Sequence, residues 1–381
     1  MIFAIPLSEM VKNLFFSLAL GFFCIWWFSQ RKGWPRLGLP GWGLLGFLGV
    51  GLLAAWTALS PWEGLRGAWD VARFSLCYLM ILNGPFSTSS KGRGLILVLI
   101  LSSLVIGSFW GLFELWWGFK EAFQVHSLGH ENHTATYVLM GLLTALAGAW
   151  HWRHSKGTFL GFGSVAALLT VALLLTYSRS AFLTFLAILV IAAFCLRRWP
   201  PLAGAVALIL AVSLLTKFDP NLRSFQNLLI VPQTAVSQNI RWSYWKGSVE
   251  IIRDFPLTGI GLRNFKYASQ WGYKARANHA HSLYFNIAAE SGLLGLEALT
   301  VLLGVLFYSW YRDRKQHTDP LALTIHWAAL GAWLTIVING LMTTTLHTES
   351  AMLLLILFGL SECNRSQTSL ASNTLPSEIG P

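Results

Sequence analysis

Three residues of this sequence have side chains suited to one reaction. His281, followed by Ser282, carries an imidazole, and with a usual pKa of about 6.5 it is the natural general base near neutral pH. Arg179, in Thr176-Tyr177-Ser178-Arg179-Ser180-Ala181, and Arg241, in Arg241-Trp242-Ser243-Tyr244-Trp245-Lys246, carry planar guanidinium forks. Such forks hold a phosphate through paired charge-assisted hydrogen bonds. A plainer role exists for each: a histidine at a helix start caps it or sits at an interface, and an arginine beside an apolar span anchors it there. Position separates the readings, because all three fall on one face of a membrane once the spans are drawn.

Of the 381 residues 55% are hydrophobic and only 11% charged, and the mean hydropathy is +0.56. Soluble domains carry about 25% charged residues, so the composition excludes a soluble enzyme and predicts an all-α integral membrane protein. A nucleic-acid partner is not expected. A span needs roughly 20 apolar residues, and eleven are read, at 11–29, 41–59, 69–86, 94–119, 134–151, 158–177, 180–196, 200–217, 281–310, 321–343 and 350–362. Trp26, Trp27, Trp62, Trp116, Trp117, Trp152, Trp199 and Trp310 lie near span ends, as interfacial belts require. Cys24, Cys77, Cys195 and Cys363 lie in or beside spans, so no disulfide framework is implied. Residues 1–30 lack a basic n-region and a small-residue cleavage site, and the first span is expected to be retained.

Basic residues in short loops set the orientation. Arg31, Lys32, Arg36, Lys91, Arg93, Arg153, Lys156, Arg197, Arg198, Arg312, Arg314, Lys315 and Arg365 share one set of alternate loops, whereas the other set holds Arg66, Lys120 and Arg179. The first set is read as cytoplasmic, which leaves the N-terminus facing outward. A single membrane domain, 1–363, then ends in a polar cytoplasmic tail, 364–381, expected to lack fixed structure. The large outward loop, about 218–280, holds Arg223, Arg241, Lys246, Arg253, Arg263, Lys266, Lys274 and Arg276 against Asp219, Glu250 and Asp254. That balance suits an anionic ligand, or an ordinary solvated loop. Trp242, Trp245, Val249 and Ile252 are spaced for an amphipathic helix lying on the surface, and Pro256, Gly259 and Gly261 end it in a turn.

Supporting residues surround these motifs. His281-Ser282 is followed nine residues on by Gly292-Leu293-Leu294-Gly295, and opens the ninth span. Glu290 lies inside that span, where a carboxylate needs a partner; it could orient the site or close a structural hydrogen bond. Asn132 and His133, in Gly129-His130-Glu131-Asn132-His133, contact sugar or phosphate, or cap the fifth span. His130, His133, His279 and His281 raise the question of zinc, but the spacing is not that of H-E-x-x-H and no cysteine is near. No metal and no cofactor are expected.

Taken in order, T-Y-S-R-S-A, R-W-x-x-W followed by P-L-T-G-I-G, and H-S-x9-G-L-L-G resemble the O-antigen ligase and polymerase superfamily of bacterial envelope glycosyltransferases. The resemblance implies an all-helical bundle of 11–12 spans in the inner membrane, with one large periplasmic loop and the active site facing the periplasm. It implies a donor glycan on an undecaprenyl-diphosphate carrier, lipid A–core as acceptor, Arg179 and Arg241 as diphosphate ligands and His281 as the base. His279 falls beside that base. The chain departs from the family in lacking its first span, and in Arg263, which stands where a glycine often follows the P-L-x-G-x-G turn and offers another phosphate contact. A repeat-unit polymerase shares this chemistry. A transporter of envelope lipids or sugars would have to rest on Glu114 and Glu290, the two carboxylates inside spans.

Overall fold

The structure is a computed structural model that describes residues 1–31, 33–125, 128–215, 235–274 and 277–373. After a short 3-10 turn at Ile2–Ala4, twelve described α-helices follow: α1 Glu9–Ser29, α2 Gly38–Trp56, α3 Pro61–Asn83, α4 Ser90–Trp116, α5 Glu131–His151, α6 Lys156–Leu175, α7 Arg179–Leu196, α8 Pro200–Leu215, α9 Ala235–Asp254, α10 Leu283–Asp313, α11 Pro320–Asn339 and α12 Thr348–Asn373. No strand occurs among the described residues. The protein is an all-α integral membrane protein: α1, α2, α4, α6, α7, α10 and α11 are long and apolar enough to cross a bilayer. The expected spans at 69–86, 134–151, 200–217 and 350–362 coincide with α3, α5, α8 and α12. These are helical, but α8 is short and the others carry polar residues that α2 lacks.

Capping residues fix where helices begin. Ser89 Oγ accepts the Gly92 N–H at 3.0 Å and Asp319 Oδ1 accepts the Ala322 N–H at 2.9 Å, with Pro320 opening α11, so orphan donors at each start are satisfied. The core is built on α5, whose face of Thr134, Ala135, Val138, Gly141 and Leu142 packs against α6 and α11. Around it α2 packs on α3 and α10, and α12 on α3 and α11. Exposure grades outward: 56% of the apolar window of α11 is buried against 11% of α1. The bare Leu14, Leu18, Phe22 and Ile25 of α1 fit lipid, where apolar surface carries no penalty.

Chain direction alternates, giving the bundle two distinct ends. One end joins the starts of α1 and α12 through the buried ion pair Lys12–Glu349, and the start of α10 to the end of α11 through the Leu283 N–H to the Gly340 carbonyl, 2.8 Å. The other joins the ends of α3 and α12, where Tyr78 donates to Glu362 at 2.5 Å. Arg179, Arg241 and His281 are on the first end, while Arg36, Arg93, Arg153 and Arg312 are on the second, as the loop charges imply.

Three expectations need correction. His281 precedes α10, with Ser282 at the N-cap position and its hydroxyl donating to the Gly340 carbonyl, and α10 is interrupted at Gly292 (φ +65°). The chain past Asn364 continues α12 as helix to Asn373, and only 374–381 lie outside the described residues. In the large loop, Ile251 rather than the Trp242–Val249 stripe is fully buried; Trp242 and Val249 face outward. Of the loop charges, Asp219, Arg223 and Arg276 lie outside the described residues, as does Lys32 of the first basic loop.

Candidate active site

Two sequence motifs interlock to build the platform of the site. At the Gly292 break, the Leu293 N–H donates to the Pro256 carbonyl at 2.8 Å, while Ile260 and Gly261 donate to the Ala289 and Glu290 carbonyls at 3.0 and 2.8 Å. The turn Pro256–Gly261 thus takes up the backbone groups that a continuous helix would have paired. A Cβ on Gly292 would sit 2.1 Å from the Leu257 carbonyl oxygen, and one on Gly259 (φ +63°) 2.5 Å from that of Ala289. The glycines of P-L-T-G-I-G and G-L-L-G are therefore there for close backbone approach. Ile251, Ile260, Phe265, Ala268, Ala280 and Ala289 form a small core of their own, which ties the loop to α10.

Glu290 carries that order to the histidines. Its carboxylate accepts the Phe265 N–H at 3.1 Å and the Asn286 side-chain amide at 3.0 Å, and Asn286 Oδ1 accepts the Ala280 N–H at 3.0 Å. Ala280 stands between His279 and His281, so the buried carboxylate positions the segment that bears both rings. His281 itself is held at φ +53°, a conformation uncommon for a residue with a side chain.

The rings form a continuous series. Tyr244 stacks on His281 at 5.7 Å between centroids, His281 meets His279 edge-on at 4.3 Å, His279 lies 6.1 Å from His133, and His133 stacks on His347 at 4.4 Å. Burial, and then the charge of Arg241, lowers the His281 pKa to about 4; burial, and then His281, does the same to His279. Both imidazoles are neutral at physiological pH.

Arg241 lies one helical turn before Tyr244 on α9, and Arg179 opens α7 after Tyr177, whose φ is +51°. Burial, and then the proximity of Arg179, lowers the Arg241 pKa, so two guanidinium groups from distant parts of the chain share one locality. Among the described residues neither has a carboxylate partner. Two unpaired cations at close range are costly unless an anion joins them. Asn132 is part of the same frame, accepting from Ser178 Oγ at 2.7 Å. The cap of α5 is His130, whose Nδ1 accepts the Asn132 N–H at 3.2 Å, and not Asn132 or His133.

Arg263 behaves differently. It reaches Asp70 at 3.2 Å and Glu63 at 3.7 Å, so its charge is taken up within the protein and is not free for phosphate. Glu114 bonds the Trp110 indole at 3.0 Å two residues from the end of α4, well away from mid-membrane. All four cysteines are free, and no three His, Cys, Asp or Glu among the described residues converge to hold a metal ion.

Sequence reasoning missed His347, Glu349 and Lys12. Glu349, 2% exposed, accepts from His347 Nδ1 at 2.6 Å and pairs with the buried Lys12. The available signal was a lysine and a glutamate each at the start of an apolar span, where charges need partners. A cavity of about 580 Å³ adjoins this group, with His133, His279, His347, Asp70 and Arg73 on its wall.

No curated protein matches the chain. Residues 162–300, which run from α6 through Arg179, Arg241 and His281 past the break in α10, match the family model described as O-antigen ligase.

Proposed function

We propose that the protein is an O-antigen ligase, transferring a glycan from an undecaprenyl-diphosphate carrier to a sugar of lipid A–core at the periplasmic face of the bacterial inner membrane. The family supports ligase or polymerase-type glycosyl transfer in general. The carrying observation is that Arg179 and Arg241, adjacent and without a carboxylate partner among the described residues, stand beside the neutral imidazole of His281.

In the proposed reaction the acceptor hydroxyl oxygen bonds to the sugar C1 as the C1–O bond to the diphosphate breaks. The diphosphate leaves with the electron pair, His281 takes the hydroxyl proton, and direct displacement inverts the anomeric centre. Charge builds on the leaving group in the transition state, where fixed guanidinium groups stabilise it more than they do the ground state. The donor also strengthens its own base. Diphosphate on Arg241 offsets the positive field that depresses the imidazole, so His281 gains proton affinity once the donor is bound. The linkage cleaved supplies the free energy, and no nucleotide or metal enters the scheme.

The experiment is transfer by purified protein from an undecaprenyl-diphosphate-linked glycan, with lipid A–core present, comparing wild type with His281→Ala. Glycan on lipid A–core, lost in a folded His281→Ala, is expected. Lengthening of the lipid-linked glycan in its place would make the protein a polymerase, and neither product would overturn glycosyl transfer.

A further inference from the structure

The cavity of about 580 Å³ is walled by His133, His279 and His347 but by none of Arg179, Arg241, Tyr244 and His281. The ring series explains this separation. Reading along it, the arginine pair and Tyr244 are at one end, His281 and His279 come next, and His133 and His347 close the other. The cavity is therefore lined by the His133 and His347 end of the series, with His279 on its wall, and not by the arginines. Displacement at C1 requires the nucleophile to approach from the face opposite the departing diphosphate.

The charge of the cavity differs in kind from that of the arginine pair. Each cation on its wall already has a carboxylate: Arg73 pairs with Asp70, Arg263 with Asp70, and Lys266 with Glu63 at 3.1 Å. Such a surface has no surplus to hold an anion, but it offers carboxylate and guanidinium edges to hydroxyl groups. The volume lies within the ~300–1,000 Å³ of small-molecule sites.

His347 is held from two directions there. Its ring is stacked on His133, and Nδ1 must be the donor to Glu349, since a carboxylate paired with Lys12 only accepts. That leaves Nε2, on a side chain 44% exposed, for a hydroxyl. Resting on the glycosyl-transfer reading above, we propose that this cavity is the acceptor subsite, that it takes an uncharged sugar ring through its hydroxyl groups, and that His347, fixed by Glu349 and Lys12, positions that ring toward His279 and His281.

The test uses full-length protein in lipid nanodiscs and, as probe, dephosphorylated core oligosaccharide released from lipid A. Binding is measured by calorimetry without donor, and acceptor and donor KM are measured in transfer. Wild type and Arg241→Gln are expected to bind the probe equally, and His347→Ala at least tenfold more weakly. In transfer, His347→Ala is expected to raise the acceptor KM at least tenfold and leave the donor KM within twofold. His347→Ala keeps the Lys12–Glu349 pair, so a folded variant is available. Equal binding by wild type and His347→Ala, no binding by wild type, or an unchanged acceptor KM overturns the subsite. Tenfold tighter binding of the phosphorylated oligosaccharide overturns its uncharged character. Weakened binding in His347→Ala without any transfer by wild type leaves the subsite standing and removes the transfer reading; the reverse pattern does the opposite.

Discussion

The two ends of the helical bundle both concentrate polar residues, but they treat charge in opposite ways. At the end bearing the basic short loops, Glu362 accepts from Tyr78 and Ser309, each at 2.5 Å, with Arg312 at 3.8 Å, and Arg312 also grips Asp313 at 2.8 Å. Each member of this cluster has its counterpart, and the cluster ties α3, α10 and α12 together. At the other end Arg179 and Arg241 share a locality with no carboxylate partner among the described residues, beside imidazoles kept neutral. A paired buried network holds helices in place, whereas an unpaired one is stable only as a site awaiting an opposite charge.

The contrast can be broken most sharply by charge reversal. Arg241→Glu is expected to lower glycan transfer by at least 10²–10³-fold, equivalent to ~2.7–4 kcal/mol of transition-state stabilisation. Arg312→Gln at the opposite end should leave transfer per folded molecule within twofold. Parallel kinetics on both purified variants decide this, and equal losses would erase the distinction between the ends.

A smaller effect is expected from the backbone joint, which has no counterpart at the opposite end. Gly292→Ala forces a side chain into φ +65° and against the Leu257 carbonyl, and should cost about 1–3 kcal/mol from the strained dihedral alone. A lowered thermal midpoint with early protease cleavage in the loop would show it; an unchanged midpoint would mean the interlock carries little stability. Tyr78→Phe removes one hydrogen bond to Glu362 and should cost about 1 kcal/mol, seen as a lower midpoint with unaltered kcat and KM. A change in kinetics would give the paired end a catalytic share.

The mildest probe is pH. The groups facing His281 are Arg241, with Arg179 behind it, His130, His279 and Tyr244. A base must be unprotonated, so activity falls as pH drops through its pKa. The acid limb of kcat/KM, which reports free enzyme, is expected near pH 4. The limb of kcat is expected at higher pH, because bound diphosphate offsets Arg241. Coincident limbs would remove the donor's influence on the base.

Much of the membrane layout was legible because hydropathy is a local property. The spans at α1, α2, α4, α6, α7, α10 and α11 announce themselves as apolar runs, and the loop charges separate the two ends. The interlocking of Pro256–Gly261 with Gly292 was visible only as two glycine motifs, since nothing local says that one turn fills the break left by the other. Arg263 looked free because its partner Asp70 is 193 residues away in sequence. His347 and Glu349 escaped notice for the same reason: stacking on His133 and pairing with Lys12 are properties of helix packing. The role of Arg179 and Arg241 was suggested by family resemblance, and the absence of a carboxylate partner among the described residues became visible only in three dimensions.

The central claim is that Arg179 and Arg241 are a diphosphate clamp. Its most direct test is the affinity of undecaprenyl diphosphate for nanodisc-embedded protein, wild type against the double variant Arg179→Gln/Arg241→Gln. Loss of two charge-assisted contacts should weaken binding at least ~100-fold, with core-oligosaccharide binding unchanged. Equal affinity for undecaprenyl diphosphate in a folded double variant would contradict the clamp.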